Sequence, residues 1–179
     1  VLWPLQRPFL VHRLDKETSG VIIIAKKPQV QLELAKQFQQ RKIKKVYRAI
    51  VLNVPEVKTG EIIAPIEKQG NVSFIGPDGK EAKTLFKIIS NTEKFAYLEL
   101  YPITGRTHQI RTHLKFISCP IIGDTKYGGV DKIGDKNVQR PMLHAYSIEF
   151  YHLRRNQWLK FVAELPEDFK FFLSYLSLG

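Results

Sequence analysis

Phe9-Leu10-Val11-His12-Arg13-Leu14-Asp15-Lys16-Glu17-Thr18-Ser19-Gly20-Val21-Ile22-Ile23-Ile24-Ala25 sets a polar turn between two apolar runs. The flanks predict strands over 9–11 and 20–25. The unbroken β-branched run Val21–Ile24 predicts a strand buried on both faces. The turn His12–Ser19 carries Asp15, with His12 and Arg13 beside it. A carboxylate so placed suits partial burial with neighbouring cations keeping it ionised. Read alone, it suits still better an Asp that shapes a turn by bonding its own backbone.

Outward from this stretch, Pro28 opens a helix over 29–40 with Val30, Leu34, Ala35 and Phe38 as its apolar stripe. A basic connector, Arg41 to Lys45, leads into a strand over 46–54 with Tyr47, Ala49 and Val51 on one face and Arg48 on the other. Short strands follow at 61–66, 84–90 and 96–101, the first two separated by a Gly-rich loop whose Pro77-Asp78-Gly79 marks a β-turn. A helix is predicted from Arg106 to Ile117, then an irregular excursion over 118–141 containing four Gly. Strands at 143–151 and 158–164 precede a terminal helix begun by Pro166-Glu167-Asp168 and carrying Phe171, Phe172, Tyr175 and Leu176. Few strands have a crossover helix between them, which favours a mainly antiparallel sheet with helices packed on it, in one domain spanning 1–179.

Composition narrows the function classes. The 179 residues are 44% hydrophobic and 25% charged, the balance of a folded chain with a core of its own. No run nears eighteen apolar residues, and Val1-Leu2-Trp3-Pro4 has no signal-peptide pattern, so no membrane association is expected. The single Cys119 permits no internal disulfide or cysteine-built zinc site and reads as a small buried thiol, in keeping with a cytoplasmic protein. His108 and His113 lack a nearby carboxylate or Cys, so no metal site is expected. Twenty-eight Lys and Arg against seventeen Asp and Glu give a net charge of +11, the footprint of a polyanion partner. Eight of these cations lie between Lys26 and Arg48, where Glu33 is the one acid; a solvated basic face without a partner accounts for that cluster equally well.

Two further polar islands stand out. Tyr47 puts a phenol on the apolar face of its strand, as a core tyrosine also would. Ile103-Thr104-Gly105-Arg106-Thr107-His108-Gln109-Ile110-Arg111-Thr112-His113-Leu114 gathers two Arg, two His and a Gln at a helix start, where polar donors favour an anion such as phosphate.

Together these segments resemble a family. His12-Arg13-Leu14-Asp15 with Thr18-Ser19-Gly20 resembles the central motif of the RluA-type pseudouridine synthases. Lys45-Val46-Tyr47-Arg48-Ala49 is similar to the second motif, and Thr104-Gly105-Arg106-Thr107-His108-Gln109-Ile110-Arg111 to the third. Pro120-Ile121-Ile122-Gly123-Asp124-Thr125-Lys126-Tyr127-Gly128-Gly129 and Met142-Leu143-His144-Ala145 also match. Five segments in order span about residues 8–150. The resemblance implies an α+β fold on a mixed, mainly antiparallel bent sheet, and an isomerase that converts uridine to pseudouridine in structured ribosomal or transfer RNA. It implies no cofactor, no protein partner and a monomer.

By the same resemblance Asp15 is the catalytic aspartate and Tyr47 stacks on the target uracil. Arg111 pairs with the aspartate, Leu143 closes the pocket, and His12 and Arg13 lie beside the extruded nucleotide. Arg106 and His108 meet phosphate or support the site. The residue types suit the reaction: a flipped base needs an aromatic platform, and an ionised carboxylate serves as nucleophile or general base. A catalytically silent RNA-binding module would not need Asp15, Tyr47 and Arg111 together; a base-excising glycosylase would use Asp15 but does not fit the motifs. The family's domain ordinarily begins ahead of the aspartate motif, whereas eleven residues precede His12 here, so the start of the domain is expected to be missing.

Overall fold

Long strands with stretches buried on both faces, and helices packed against them, divide the chain into layers. The computed structural model describes residues 8–179; Val1-Leu2-Trp3-Pro4, which the sequence reads as no signal peptide, lies outside them. In order come β1 (Phe9–Leu10), β2 (Ser19–Gly20), β3 (Ile24–Ala25), α1 (Pro28–Gln39), β4 (Lys44–Leu52), β5 (Thr59–Ile63), β6 (Ile66–Gln69), β7 (Val72–Ile75), β8 (Lys83–Asn91) and β9 (Phe95–Pro102). After them come α2 (Gln109–Phe116), a 3₁₀ turn at Thr125–Tyr127, β10 (Lys132–Ile133), β11 (Lys136–Asn137), β12 (Leu143–His152), β13 (Gln157–Val162) and α3 (Glu167–Tyr175).

The central sheet runs β13-β12-β4-β9-β8-β5, every neighbour antiparallel, and β2 joins β12 in parallel. This is the mixed, mainly antiparallel α+β architecture expected. Register puts Tyr47, Ala49 and Val51 opposite Leu100, Leu98 and Ala96, and the buried members of these pairs form the main core with Ile110 and Leu114 of α2. On the other face Tyr97 meets Phe169 of α3. A second cluster joins Leu34 of α1 to Ile43, Ile148 and Phe150. Among the described residues no helix is long and apolar enough to cross a membrane.

Four local expectations need correction. Val21–Ile24 is not a doubly buried strand: Ile22 and Ile24 are 41% and 43% exposed, while Val21 and Ile23 pack on the second cluster. In α1, Ala35 faces solvent and Gln37 is buried, because its amide bonds both Tyr151 O (2.8 Å) and Tyr151 N–H (3.0 Å). In α3 the core stripe is Phe169, Phe172, Leu173 and Leu176, whereas Phe171 and Tyr175 stack on each other at the surface. The Gly-rich loop after β5 contains the hairpin β6–β7, and a smaller hairpin, β10–β11, lies within the 118–141 excursion.

Candidate active site

The Asp15 turn is anchored at both ends. Thr18 N–H bonds Asp15 O at 2.9 Å, and β2 then docks along β12 with Ser19 opposite His144 and Gly20 opposite Ala145. Gly20 has φ +121, and a Cβ there would stand 2.2 Å from Ala145 O, so this approach needs glycine. His144 accepts from Ser19 Oγ at Nδ1 (2.9 Å) and donates from Nε2 to Ala163 O (3.1 Å). Thr18-Ser19-Gly20 and Leu143-His144-Ala145 are thus two halves of one joint. His12 closes the other side: its Nε2 accepts from Ile23 N–H at 2.9 Å and its ring stacks on Phe38. Burial, then the nearby Lys45 charge, lowers the His12 pKa to about 4, so the ring is neutral.

With its backbone making the turn, the Asp15 carboxylate faces a cavity of about 300 Å³ on the Tyr47 face of the sheet. His12, Arg13, Asp15, Tyr47, Arg106, His108, Arg111 and Leu143, drawn from the turn, two strands and the entry to α2, all line it. Leu143 pairs with Ala49, and Ala145 with Tyr47, so Leu143 and Tyr47 are diagonal neighbours on one face. Burial, and secondarily the Asp15 charge, pushes the Tyr47 phenol up to about 12. It therefore stays protonated, an apolar wall with a polar tip.

The polar start of α2 is built differently from the sequence expectation. The helix begins at Gln109, since His108 takes a left-handed conformation (φ 52), and its donors are engaged within the protein. Buried Gln109 accepts from Thr104 Oγ1 (2.7 Å) and Arg106 N–H (3.0 Å) and donates to Lys83 O (2.9 Å) and Thr84 Oγ1 (3.0 Å). His113 is fully buried against Thr84 Oγ1 and Ala64 O. Arg106 Nε donates to Glu81 O at 3.0 Å. These bonds fasten the loop to β8 and engage the Gln109 and His113 side chains and one edge of Arg106 within the protein.

Arg111 is also not primarily the partner of Asp15. It forms a two-pronged pair with Asp124, at 2.7 Å from both Nε and Nη2, and the Asp124 side chain has no exposed area. Asp15 Oδ2 lies 3.6 Å from Arg111 Nη1, and Asp15 Oδ1 lies 3.9 Å from His108 Nε2. Burial works to lower the guanidinium pKa, but the bonds and charge of Asp124 and the charge of Asp15 leave it raised. Asp124 fixes the arginine, and the arginine presents its remaining edge to Asp15.

The basic connector divides. Lys45 turns into the cavity, its Nζ 3.4 Å from Thr104 O, and burial lowers its pKa to about 8. Lys44 leaves in the opposite direction, pairing with Glu149 at 2.8 Å beneath the Trp158 ring. A second, polar groove of about 490 Å³ adjoins the cavity, sharing Arg13, Asp15, Thr107, His108 and Arg111, with Lys16, Lys68 and Lys126 on its walls. Sequence reading gave no role to Asp124, Tyr127, Lys68 or Lys126. Asp124, Lys126 and Tyr127 lie in the 120–129 segment, whose charge–aromatic pattern was the available signal; Lys68 enters only through the unforeseen hairpin. Among the described residues no group of three or more His, Cys, Asp or Glu is placed to hold a metal ion.

One carboxylate, one phenol and three guanidinium groups (Arg13, Arg106 and Arg111) converge on one cavity beside a polar groove of mixed charge, the arrangement of a site for acid–base or nucleophilic chemistry. Comparison with known proteins supplies the family. The model of the RNA pseudouridylate synthase family matches residues 5–116, and the chain belongs to that family. It is 40% identical over 172 residues to a ribosomal large subunit pseudouridine synthase D of Borreliella burgdorferi, covering 94% of this chain and 52% of that protein. It is 41% identical over 177 residues to a ribosomal large subunit pseudouridine synthase C of Buchnera aphidicola, covering 93% and 56%. The chain thus spans about half the length of these relatives. The solved structure of human RNA pseudouridylate synthase domain containing 4 superposes with a TM-score of 0.82 at 29% identity, over 95% of this chain and 76% of that one.

Proposed function

We propose that this chain isomerises uridine to pseudouridine in structured RNA, ribosomal RNA before transfer RNA, with Asp15 as the catalytic group. It would act in the cytoplasm as a monomer. The observation that carries the reading is the Asp15 carboxylate, 19% exposed, facing a base-sized cavity with Arg111 and His108 at its two oxygens.

The target nucleotide leaves its stack and enters between Tyr47 and Leu143 while Arg13, at the mouth, meets the strand it left. Asp15 then acts at the ribose, either as nucleophile on the anomeric carbon or as general base on the neighbouring proton. The glycosidic bond to N1 breaks, the uracil turns within the walls, and C5 bonds the same sugar carbon as the Asp15–carbon bond breaks or, on the general-base route, as Asp15 returns the sugar proton. The proton lost from C5 balances the one gained at N1, so no outside reactant is consumed. Tyr47 and Leu143 hold the detached base and exclude water. The relatives named for the large ribosomal subunit favour ribosomal RNA.

Asp15→Asn tests the reading. Turnover should fall by at least ~10²–10⁴-fold while RNA affinity stays nearly constant, because the amide is neither nucleophile nor base. A variant retaining more than about a tenth of the wild-type rate would remove Asp15 from the chemistry. The product separates the alternatives: unchanged RNA means a silent binding module, and an abasic site means a glycosylase.

A further inference from the structure

Tyr127 is among the most buried side chains in the protein, 1% exposed, and the reaction outlined above does not use it. Its hydroxyl lies 2.9 Å from Ser73 N–H on β7 and 2.7 Å from His108 Nδ1. A phenol has one proton to give. The Ser73 amide can only donate, so the hydroxyl accepts there, and its own proton then has His108 Nδ1 as acceptor. The opposite arrangement, with Nδ1–H donating, would leave the buried phenol proton without a partner. His108 must then carry its hydrogen on Nε2, the nitrogen that faces Asp15 Oδ1 at 3.9 Å.

Two observations agree. His108 is held in a left-handed backbone conformation, one that a non-glycine residue keeps only when its surroundings enforce it. The enforcing contacts are the Tyr127 hydroxyl and the hydrogen bond from Ser73 Oγ to Thr107 O (2.9 Å), the residue just before. The ring is also kept neutral: burial lowers its pKa, the charges of Arg111 and Lys126 lower it further, and Asp15 and Asp124 oppose them.

We propose that Tyr127 and His108 are positioning residues, with the Tyr127 hydroxyl fixing the His108 tautomer so that Nε2–H aims the Asp15 carboxylate opposite Arg111. Asp15 is thereby flanked at both oxygens, by the guanidinium at 3.6 Å on one side and a neutral N–H at 3.9 Å on the other, contacts that tighten into hydrogen bonds when substrate closes the site. A second cation at that oxygen would bind the carboxylate more tightly and blunt its reactivity. A neutral donor orients it and leaves the charge available. The assignment deepens the proposed isomerase reading and rests on it for its kinetic consequences, but the tautomer itself is independent of activity.

The test combines ¹⁵N NMR of the imidazoles with a double-mutant cycle. The chain has five His, and His108 is assigned as the signal lost in His108→Ala. Near pH 7, His108 should show bare Nδ1 and protonated Nε2, and Tyr127→Phe should introduce the other tautomer. Protonated Nδ1 in the wild type, or a tautomer unaffected by Tyr127→Phe, overturns the proposal. In single-turnover assays each single substitution should slow isomerisation about 10–100-fold, the scale of one hydrogen bond to a charged group. The double variant should be no slower than His108→Ala, since Tyr127 acts through that ring. Multiplying losses would show that Tyr127 acts independently and refute the positioning role. Wild-type chain that forms no pseudouridine would overturn the isomerase reading, while the NMR result would still decide this one.

Discussion

Arg111→Ala should be the most damaging single truncation near the cavity, and its cost follows from Asp124 more than from Asp15. The Arg111 and Asp124 side chains are 7% and 0% exposed and share two bonds of 2.7 Å, so truncation strands a buried carboxylate. Breaking such a pair typically costs about 3–5 kcal/mol. For a domain of this size each kcal/mol moves Tm by about 2–4 °C, so a fall of about 6–20 °C is expected. Asp15 is a contrasting case: it is 19% exposed and 3.6 Å from Nη1, beyond a good hydrogen bond. Asp15→Asn should therefore cost no more than about 1 kcal/mol, the range of a weakly held pair. Thermal melts of Arg111→Ala, Asp124→Asn and Asp15→Asn at neutral pH, with single-turnover rates, separate the contributions. Both aspartate variants should be inactive, but only the Asp124 variant should melt early. A Tm loss for Asp15→Asn equal to that for Asp124→Asn would mean that Asp15 is the arginine's main anchor, against the geometry.

Lys45→Met should raise Tm at neutral pH and slow turnover, because burial has brought the ammonium pKa down to about 8 and this penalty disappears with the charge; an unchanged or lower Tm would contradict it. His12 has a folded pKa of about 4, below its unfolded value near 6.5, so the unfolded chain binds the extra proton in between. Its stabilisation is complete above pH about 6.5 and is lost as pH falls toward 4, with a slope of about 1.4 kcal/mol per unit. His12→Gln keeps an acceptor for Ile23 N–H, so it should flatten the fall in Tm between pH 7 and 5, and an unaltered fall would show that His12 is not buried neutral. Replacing Lys16, Lys68 and Lys126 together by Gln should reduce the log–log salt slope of single-stranded RNA binding by up to about 2, at roughly 0.7 per contact. Substitution of Lys42 and Lys44 should matter less, and a reversed ranking would place the RNA on the other face.

The layers were legible because they depend on local pattern. Lys83–Asn91 alternates in side-chain burial as a one-sided strand does, Lys44–Leu52, Phe95–Pro102 and Leu143–His152 are long apolar-rich runs buried on both faces for part of their length, and Pro28 opens α1 at its first position. What sequence could not give was which partner a polar residue finds. Arg111 has an acid thirteen positions along and another almost a hundred back, and only the fold shows that the nearer, Asp124, takes both of its prongs. Gln37 looked like surface because glutamine usually is, but two backbone groups of Tyr151 make its burial favourable. Phe171 and Tyr175 looked like core because aromatic residues usually are, but the α3 stripe runs one position out of phase with them. The hairpin β6–β7 was hidden by glycines that mark its turns.

Charge is distributed by depth in a way that fits a nucleotide entering base first. At the cavity wall burial holds His12 neutral and weakens the charge of Lys45, while Arg111 is matched by Asp124 and Asp15. Uracil is uncharged, so a chamber whose charges are paired or, as at Lys45, weakened by burial would suit it. The exposed cations Arg13, Lys16, Lys68 and Lys126, with the acids Glu17 and Asp131 among them, stand around the adjoining groove, where phosphates of the flanking strand would remain. A cavity evolved for a phosphorylated end or a carboxylate substrate would invert this order, with its free cations innermost. The net charge of +11 therefore does not describe the cavity itself, and in the proposed reading its effect would be felt at the rim, on an RNA partner.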